Sequence, residues 1–227
     1  MAAAVPLKYL LDANALIGAL FIITTFLLMT SRQVQGFLRY FVVQSILLAA
    51  SAAVLAWVHL SVELVIVAVI TLVAKTIVIP GLLTRTLAVS VRSRREVDLV
   101  LTIPISLLLA IVISVLSYFL VAPFVHLTPP GAAVNLPIGL DVLLIGVYTL
   151  AVRREAIPQM LAIMAIDNGA FFAGIAITTT SAIVELAAGL EGVTVVLVVA
   201  ILARTIALQV GNTAVSELVA LKEGDAR

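Results

Sequence analysis

The chain has 227 residues, 63% of them hydrophobic and 11% charged, with a formal net charge of +1 and no cysteine. That charged fraction is about half the usual value for a soluble domain, and a mean hydropathy of +1.29 excludes a soluble globule. The near-neutral balance gives no basic patch for nucleic acid, the lack of cysteine removes disulfides, thiol catalysis and thiolate-held iron–sulfur clusters, and two histidines alone make no metal site.

A helix needs roughly 20 residues to cross the hydrocarbon layer, so the length predicts an all-α, polytopic transmembrane helix bundle of about seven spans, a single membrane domain over 1–227. The apolar runs are continuous in Leu, Ala, Val and Ile and lack the alternation of barrel strands. In chain order the spans are expected at Asn14–Thr30, Phe37–Val58, Val62–Leu83, Leu99–Val121, Ala132–Val152, Ile157–Thr179 and Ala182–Leu208. Met1–Leu11 carries no small-residue cleavage pattern, so the first span is expected to be retained. Pro80 is expected to kink the third span. Pro137, Gly139 and Asp141 predict a short or kinked fifth span, with Asp141 capping its start.

The connections sort by charge. Arg32 and Arg39 lie in the first, Arg85, Arg92, Arg94 and Arg95 in the third, Arg153 and Arg154 in the fifth, and Lys222 and Arg227 in the tail, whereas Trp57–Ser61, Ala122–Gly131 and Thr178–Ser181 hold no Lys or Arg. Because basic residues concentrate on the cytoplasmic side, the amino terminus is expected outside and the carboxyl terminus in the cytoplasm. Arg92–Glu96 reads as a solvated loop.

A weak internal repeat divides the chain further. Gln44 and Glu63 are 19 residues apart, Asp167 and Glu185 are 18 apart, and the second set follows the first by about 123 residues. This spacing gives a three-helix unit with its basic loop over 1–98, a linking span over 99–131 and a second three-helix unit over 132–227.

Ionisable residues inside apolar runs cost a few kcal/mol each on insertion scales and are kept for a pathway or a partner. Lys75 lies in the third span, Asp167 about ten residues into the sixth with Asn168 and Gly169 after it, and Glu191 about ten residues into the last, with Glu185 nearer its start. Asp167, Glu191, Lys75 and Glu185 are the candidates for proton transfer, since carboxyls at one depth near a cation can hold and release a proton. Gln44, Asn168, Glu63 and Asp141 are possible supporting groups. The bland readings are a structural ion pair with a neighbouring subunit for Lys75 and Glu191 and interfacial positions for Glu63 and Glu185.

The stretch Ala165-Ile-Asp-Asn-Gly-Ala-Phe-Phe-Ala-Gly-Ile-Ala-Ile177, followed by Val184-Glu-Leu-Ala-Ala-Gly-Leu-Glu191, resembles the carboxyl-terminal half of the hydrogenase-4 component E family. That family belongs to formate hydrogenlyase-type and related membrane-bound group 4 [NiFe] hydrogenase complexes, and its carboxyl-terminal half is similar to the K-type membrane subunit of complex I. Arg39-Tyr-Phe-Val-Val-Gln-Ser-Ile-Leu-Leu48 and Lys75-Thr-Ile-Val-Ile-Pro-Gly-Leu-Leu83 extend the resemblance over most of the chain. The family usually has Glu-Asn-Gly where this chain has Asp167-Asn-Gly, and an Asp where it has Glu191, so charge is kept while reach changes. The resemblance makes 132–227 a K-subunit-like unit. It implies a subunit in the cytoplasmic membrane of a prokaryote, partnered by antiporter-like and H-subunit-like membrane subunits and a soluble redox arm. No cofactor is expected in this chain; the [NiFe] centre and iron–sulfur clusters, and with them the oxidoreductase chemistry, would belong to the partners. The alternatives from the residues alone are a stand-alone small secondary transporter and a structural anchor without ion transfer.

Overall fold

The computed structural model describes residues 7–81, 101–129, 131–153, 156–177 and Val198. Every regular element among them is a helix: α1 Leu7–Thr30, α2 Val34–His59, α3 Val62–Thr71 continuing into a π-helical segment Leu72–Val78, α4 Ile103–Val121 continuing into a 3-10 turn Ala122–Leu127, α5 Asn135–Val152 and α6 Ala156–Ile177. Among the described residues, six helices are long and apolar enough to cross a membrane. Apart from Val198, the seventh expected span, Ala182–Leu208, lies outside the described residues, as do the Arg85–Arg95 connection, Glu185 and Glu191.

Local chemistry sets several boundaries differently from the sequence reading. α1 begins at Leu7, about two turns before the expected Asn14, and Asn14 is fully buried within it. The Ser61 hydroxyl caps α3 by accepting from Leu64 N at 3.3 Å, and Glu63 sits exposed in that first turn, where a negative charge meets the positive end of the helix dipole. Pro80 does not simply bend the third span. It lacks an N–H and crowds the carbonyl four residues back, and the turn before it widens to π, with Ile79 N bonded to Ala74 O. Pro137 falls in the first turn of α5, where a missing N–H leaves no intrahelical bond unmade, so the expected kink there is not formed. Asp141 lies six residues inside α5 and caps nothing.

The helices form one packed group. α5 and α6 run side by side in close backbone contact, α1 packs on α2 and α5, α2 also meets α3 and α6, and α4 flanks α5. Glycine explains the α5–α6 approach: a Cβ at Gly169 would stand 2.5 Å from Leu143 N, and one at Gly139 would stand 2.6 Å from Gly169 O. Small residues let two backbones approach in this way where lipid offers no hydrophobic drive for helix association. The apolar core includes Phe21, stacked on Phe172 with ring centroids 4.4 Å apart, together with Leu48, Leu55, Val142 and Phe171. α4 is the outlier. Only 22% of its apolar window is buried, against 67% for the window in α6, and it presents Leu108, Val112, Leu116 and Phe119 outward.

Candidate functional site

The bundle encloses a line of polar side chains that starts at a cation. Lys75, in the middle of the π segment, is 1% exposed, and its Nζ donates to Asp167 Oδ2 at 2.6 Å and to Asn168 Oδ1 at 2.8 Å, both on α6. Asn168 Nδ2 in turn donates to Gln44 Oε1 at 3.0 Å and to Ser45 Oγ at 3.3 Å on α2. Gln44 Nε2 donates to Thr25 Oγ1 at 2.8 Å on α1, and the Thr25 hydroxyl ends the line on Phe21 O at 2.9 Å. Four helices are thus joined through groups that, Asp167 apart, are at most 1% exposed.

The order of atoms follows from donor chemistry. An ammonium only donates, so Asn168 must turn its oxygen to Lys75, its NH2 then faces Gln44, and Gln44 turns its own NH2 to Thr25. Each amide therefore presents its negative end toward the cation, and bonds aligned in one direction polarise one another. Side-chain amides hold a proton in place and do not readily pass it on. The exchangeable groups are Lys75 and Asp167, and Asp167 keeps 7% exposure. The Phe171 ring centroid, 5.9 Å from Nζ, adds an aromatic face to the cation's surroundings.

Depth is compatible with a position inside the bilayer. Asp167 is nine residues beyond the start of the Pro158–Ile177 span, roughly 14 Å along the axis. Lys75 is six residues from the end of the Val62–Gly81 span, and helical side chains lean toward their own N-terminus, which carries the ammonium inward to the level of Asp167.

Of the residues singled out from sequence, Lys75, Asp167, Asn168 and Gln44 come together. Glu63 stays at the exposed start of α3. Asp141 is buried but elsewhere, with Oδ2 accepting from Ser114 on α4 at 3.1 Å.

Two buried polar clusters were not legible beforehand. Asn14, Ser51 and Asn135 form a closed ring: Asn14 Nδ2 donates to Asn135 Oδ1 at 2.7 Å, Asn135 Nδ2 to Ser51 Oγ at 2.9 Å, and Ser51 Oγ to Asn14 Oδ1 at 2.7 Å. It ties α1, α2 and α5 with all three side chains fully buried, and Asn14 also donates to Gly131 O at 3.1 Å. Arg153, which lies in the fifth connection as expected, is 1% exposed. Its Nη2 donates to Met29 O and Ser31 O at the end of α1, where free carbonyls and the helix dipole favour a cation, and its guanidinium lies 5.3 Å from the Phe37 ring centroid. The only advance signal was polarity within apolar sequence, with Asn14 and Asn135 both toward the N-terminal ends of their helices.

No protein-family model matches the chain, and no solved structure matches it. Among curated proteins it is similar to the uncharacterized protein Rv0085 of Mycobacterium tuberculosis (strain ATCC 25618 / H37Rv), 26% identical over 162 residues that cover 70% of this chain and 73% of that protein.

Proposed function

We propose that this chain is a membrane-arm subunit of a complex I-like, ion-translocating redox complex of the membrane-bound [NiFe] hydrogenase or formate hydrogenlyase type, in which Lys75 and Asp167 belong to a proton path. The observation that supports this reading is the buried Lys75–Asp167 pair, mounted on a π turn and backed by the amides of Asn168 on α6 and Gln44 on α2. Two charges are expensive to keep inside a membrane protein. A pair that shares a proton or parts and re-forms with the redox cycle gives them a task, and the π turn, a geometry frequent at functional sites, gives Lys75 a backbone able to shift register.

In this scheme Asp167 takes and gives the proton, Lys75 sets whether Asp167 holds it, and Asn168 and Gln44 keep the ammonium oriented. Glu191 and Glu185 would continue the path through the last span. The redox arm, its [NiFe] centre and iron–sulfur clusters, and the antiporter-like and H-subunit-like neighbours belong to partner chains in the cytoplasmic membrane of a prokaryote, with this chain's amino terminus outside.

The test is Asp167→Asn in the otherwise assembled complex, with redox turnover and proton translocation measured together. The expected result is that whatever complex assembles shows at least a tenfold loss of coupled proton movement. Full coupling would remove Asp167 from the path. The second reading, a structural anchor, draws on the tight 2.6 Å geometry of the pair; it predicts that the same variant impairs assembly while whatever assembles stays coupled. Isolation of the chain as a small stable particle without partners would instead favour a stand-alone transporter.

A further inference from the structure

Apart from the Lys75 line, the bundle has a second buried acid with a cavity in front of it. A cavity of about 510 Å³ lies between α1, α4 and α5, and its lining includes Ile22, Ser114, Tyr118, Val134, Ile138 and Asp141. Its walls are mostly apolar, and its volume is in the range of sites that take small molecules. At roughly 30 Å³ for each water-sized group it has room for on the order of fifteen such groups.

Asp141 is the informative member. The residue is 3% exposed, and Oδ1 has no hydrogen-bond partner among the described residues. Oδ2 has a shared one. Ser114 has a single hydroxyl proton, and Ala110 O at 3.0 Å competes for it with Asp141 Oδ2 at 3.1 Å. A buried carboxyl with less than one full donor for two oxygens is among the costlier arrangements a fold can hold. The account of Asp141 as a helix cap fails, because α5 starts six residues earlier. Asp141 is among the residues that border the cavity, while Oδ1 itself is buried.

We propose that this cavity is a binding site for a small amphiphilic ammonium, a primary amine in its protonated form carrying an apolar body. The ammonium would donate to Asp141 Oδ1 after a turn of the carboxyl about its Cβ–Cγ bond brings that buried oxygen to the cavity, supplying the donor and the opposite charge that the carboxylate lacks. The apolar body would lie along Ile22, Val134 and Ile138, and the face of Tyr118 would border the cation. A neutral lipid chain could fill the volume but would leave the carboxyl as it is, which makes the charged ligand the better complement. The site is separate from the Lys75 line and does not depend on the function proposed above.

The test is binding of phenylbutylammonium and its neutral counterpart phenylbutanol to the full chain in lipid nanodiscs, with any co-purifying partners retained and protein-free nanodiscs as the blank for partition into lipid. The ammonium is expected to bind the unaltered chain at least tenfold more tightly than the alcohol, and Asp141→Asn is expected to remove that preference. Ala133→Phe, which narrows the cavity and leaves the acid in place, is expected to weaken the ammonium at least tenfold, so the site can be judged even if the Asp141 variant does not fold. Equal binding of the two probes to the unaltered chain, a preference that survives Asp141→Asn, or unchanged binding in Ala133→Phe would each overturn the assignment.

Discussion

Removing the ammonium while keeping the carboxyl is the severest test of the Lys75 line. Lys75→Met preserves an unbranched apolar stem, so little packing is lost, but Asp167 loses its donor at 2.6 Å and Asn168 Oδ1 loses the bond at 2.8 Å. Breaking a buried ion pair from one side costs about 3–5 kcal/mol, most of it the exposure of the surviving charge to a medium that does not solvate it. The Asn168 bond contributes about 1 kcal/mol within that range. Asp167→Asn should cost a similar amount, since Lys75 keeps amide oxygens but no counter-charge. With both changes no charge remains, and the double variant should fall at least about 2 kcal/mol short of the sum of the singles. Equilibrium unfolding of the four forms in mixed micelles measures the cycle. Additive losses, or a Lys75→Met cost below about 1 kcal/mol, would refute the idea that the two charges hold one another inside the bundle. Coupled proton movement measured on the double variant separates fold from function, because stability should recover while the proton path does not.

Three further outcomes follow from the same geometry. Gly169→Ala should push α5 from α6, because its Cβ would stand 2.5 Å from Leu143 N and 2.8 Å from Gly139 O, costing about 1–3 kcal/mol in thermal unfolding; Gly174→Ala, with nothing within 4 Å, should be neutral or stabilising by up to about 1 kcal/mol. Asn14→Leu should cost about 2–4 kcal/mol in the same assay, since it leaves Ser51 without its acceptor and Asn135 without its donor in the buried ring, whereas an unchanged midpoint would mean that the ring contributes nothing to the fold. Arg153→Ala should cost about 2–4 kcal/mol by freeing the Met29 and Ser31 carbonyls and uncovering Phe37, and Arg153→Lys should recover less than half of the loss, because a compact, strongly hydrated ammonium replaces the planar guanidinium set near the Phe37 ring.

What the sequence could and could not reveal divides along physical lines. Helix number and placement depend on apolar runs about 20 residues long, a signal summed over whole segments, and the first six expected spans overlap the observed helices. Lys75 and Asp167 stood out singly for the same reason, as isolated charges in such runs. Which acid Lys75 meets did not, because partner choice depends on helix rotation and on the π turn, which shifts every later side chain around the axis of α3; the sequence offers Glu191 and Glu185 beside Asp167, and those two lie outside the described residues. Arg153 lies just past the fifth span, as expected, but nothing in its neighbours announces that the carbonyls of Met29 and Ser31 converge there from more than 120 residues away.

Gln44 and Asp167 were singled out as equivalent points of a weak repeat, and in the fold the two points meet: Asn168, next to Asp167, donates to Gln44 Oε1 across 124 residues of sequence. This meeting has a consequence for how the charges are tolerated. An acid at one point and an amide at the other let a single lysine satisfy both helices, with the carboxylate neutralising it and the amides orienting it. A carboxylate in place of Gln44 would set two negative groups around one ammonium and give Asn168 Nδ2 a stronger acceptor, tilting the site toward holding a further cation or proton. Gln44→Glu should therefore leave the helix packing intact while changing the pH range over which the assembled complex couples redox turnover to proton movement. A coupling profile that matches the unaltered chain at every pH would show that Gln44 acts only as a brace between α1 and α6.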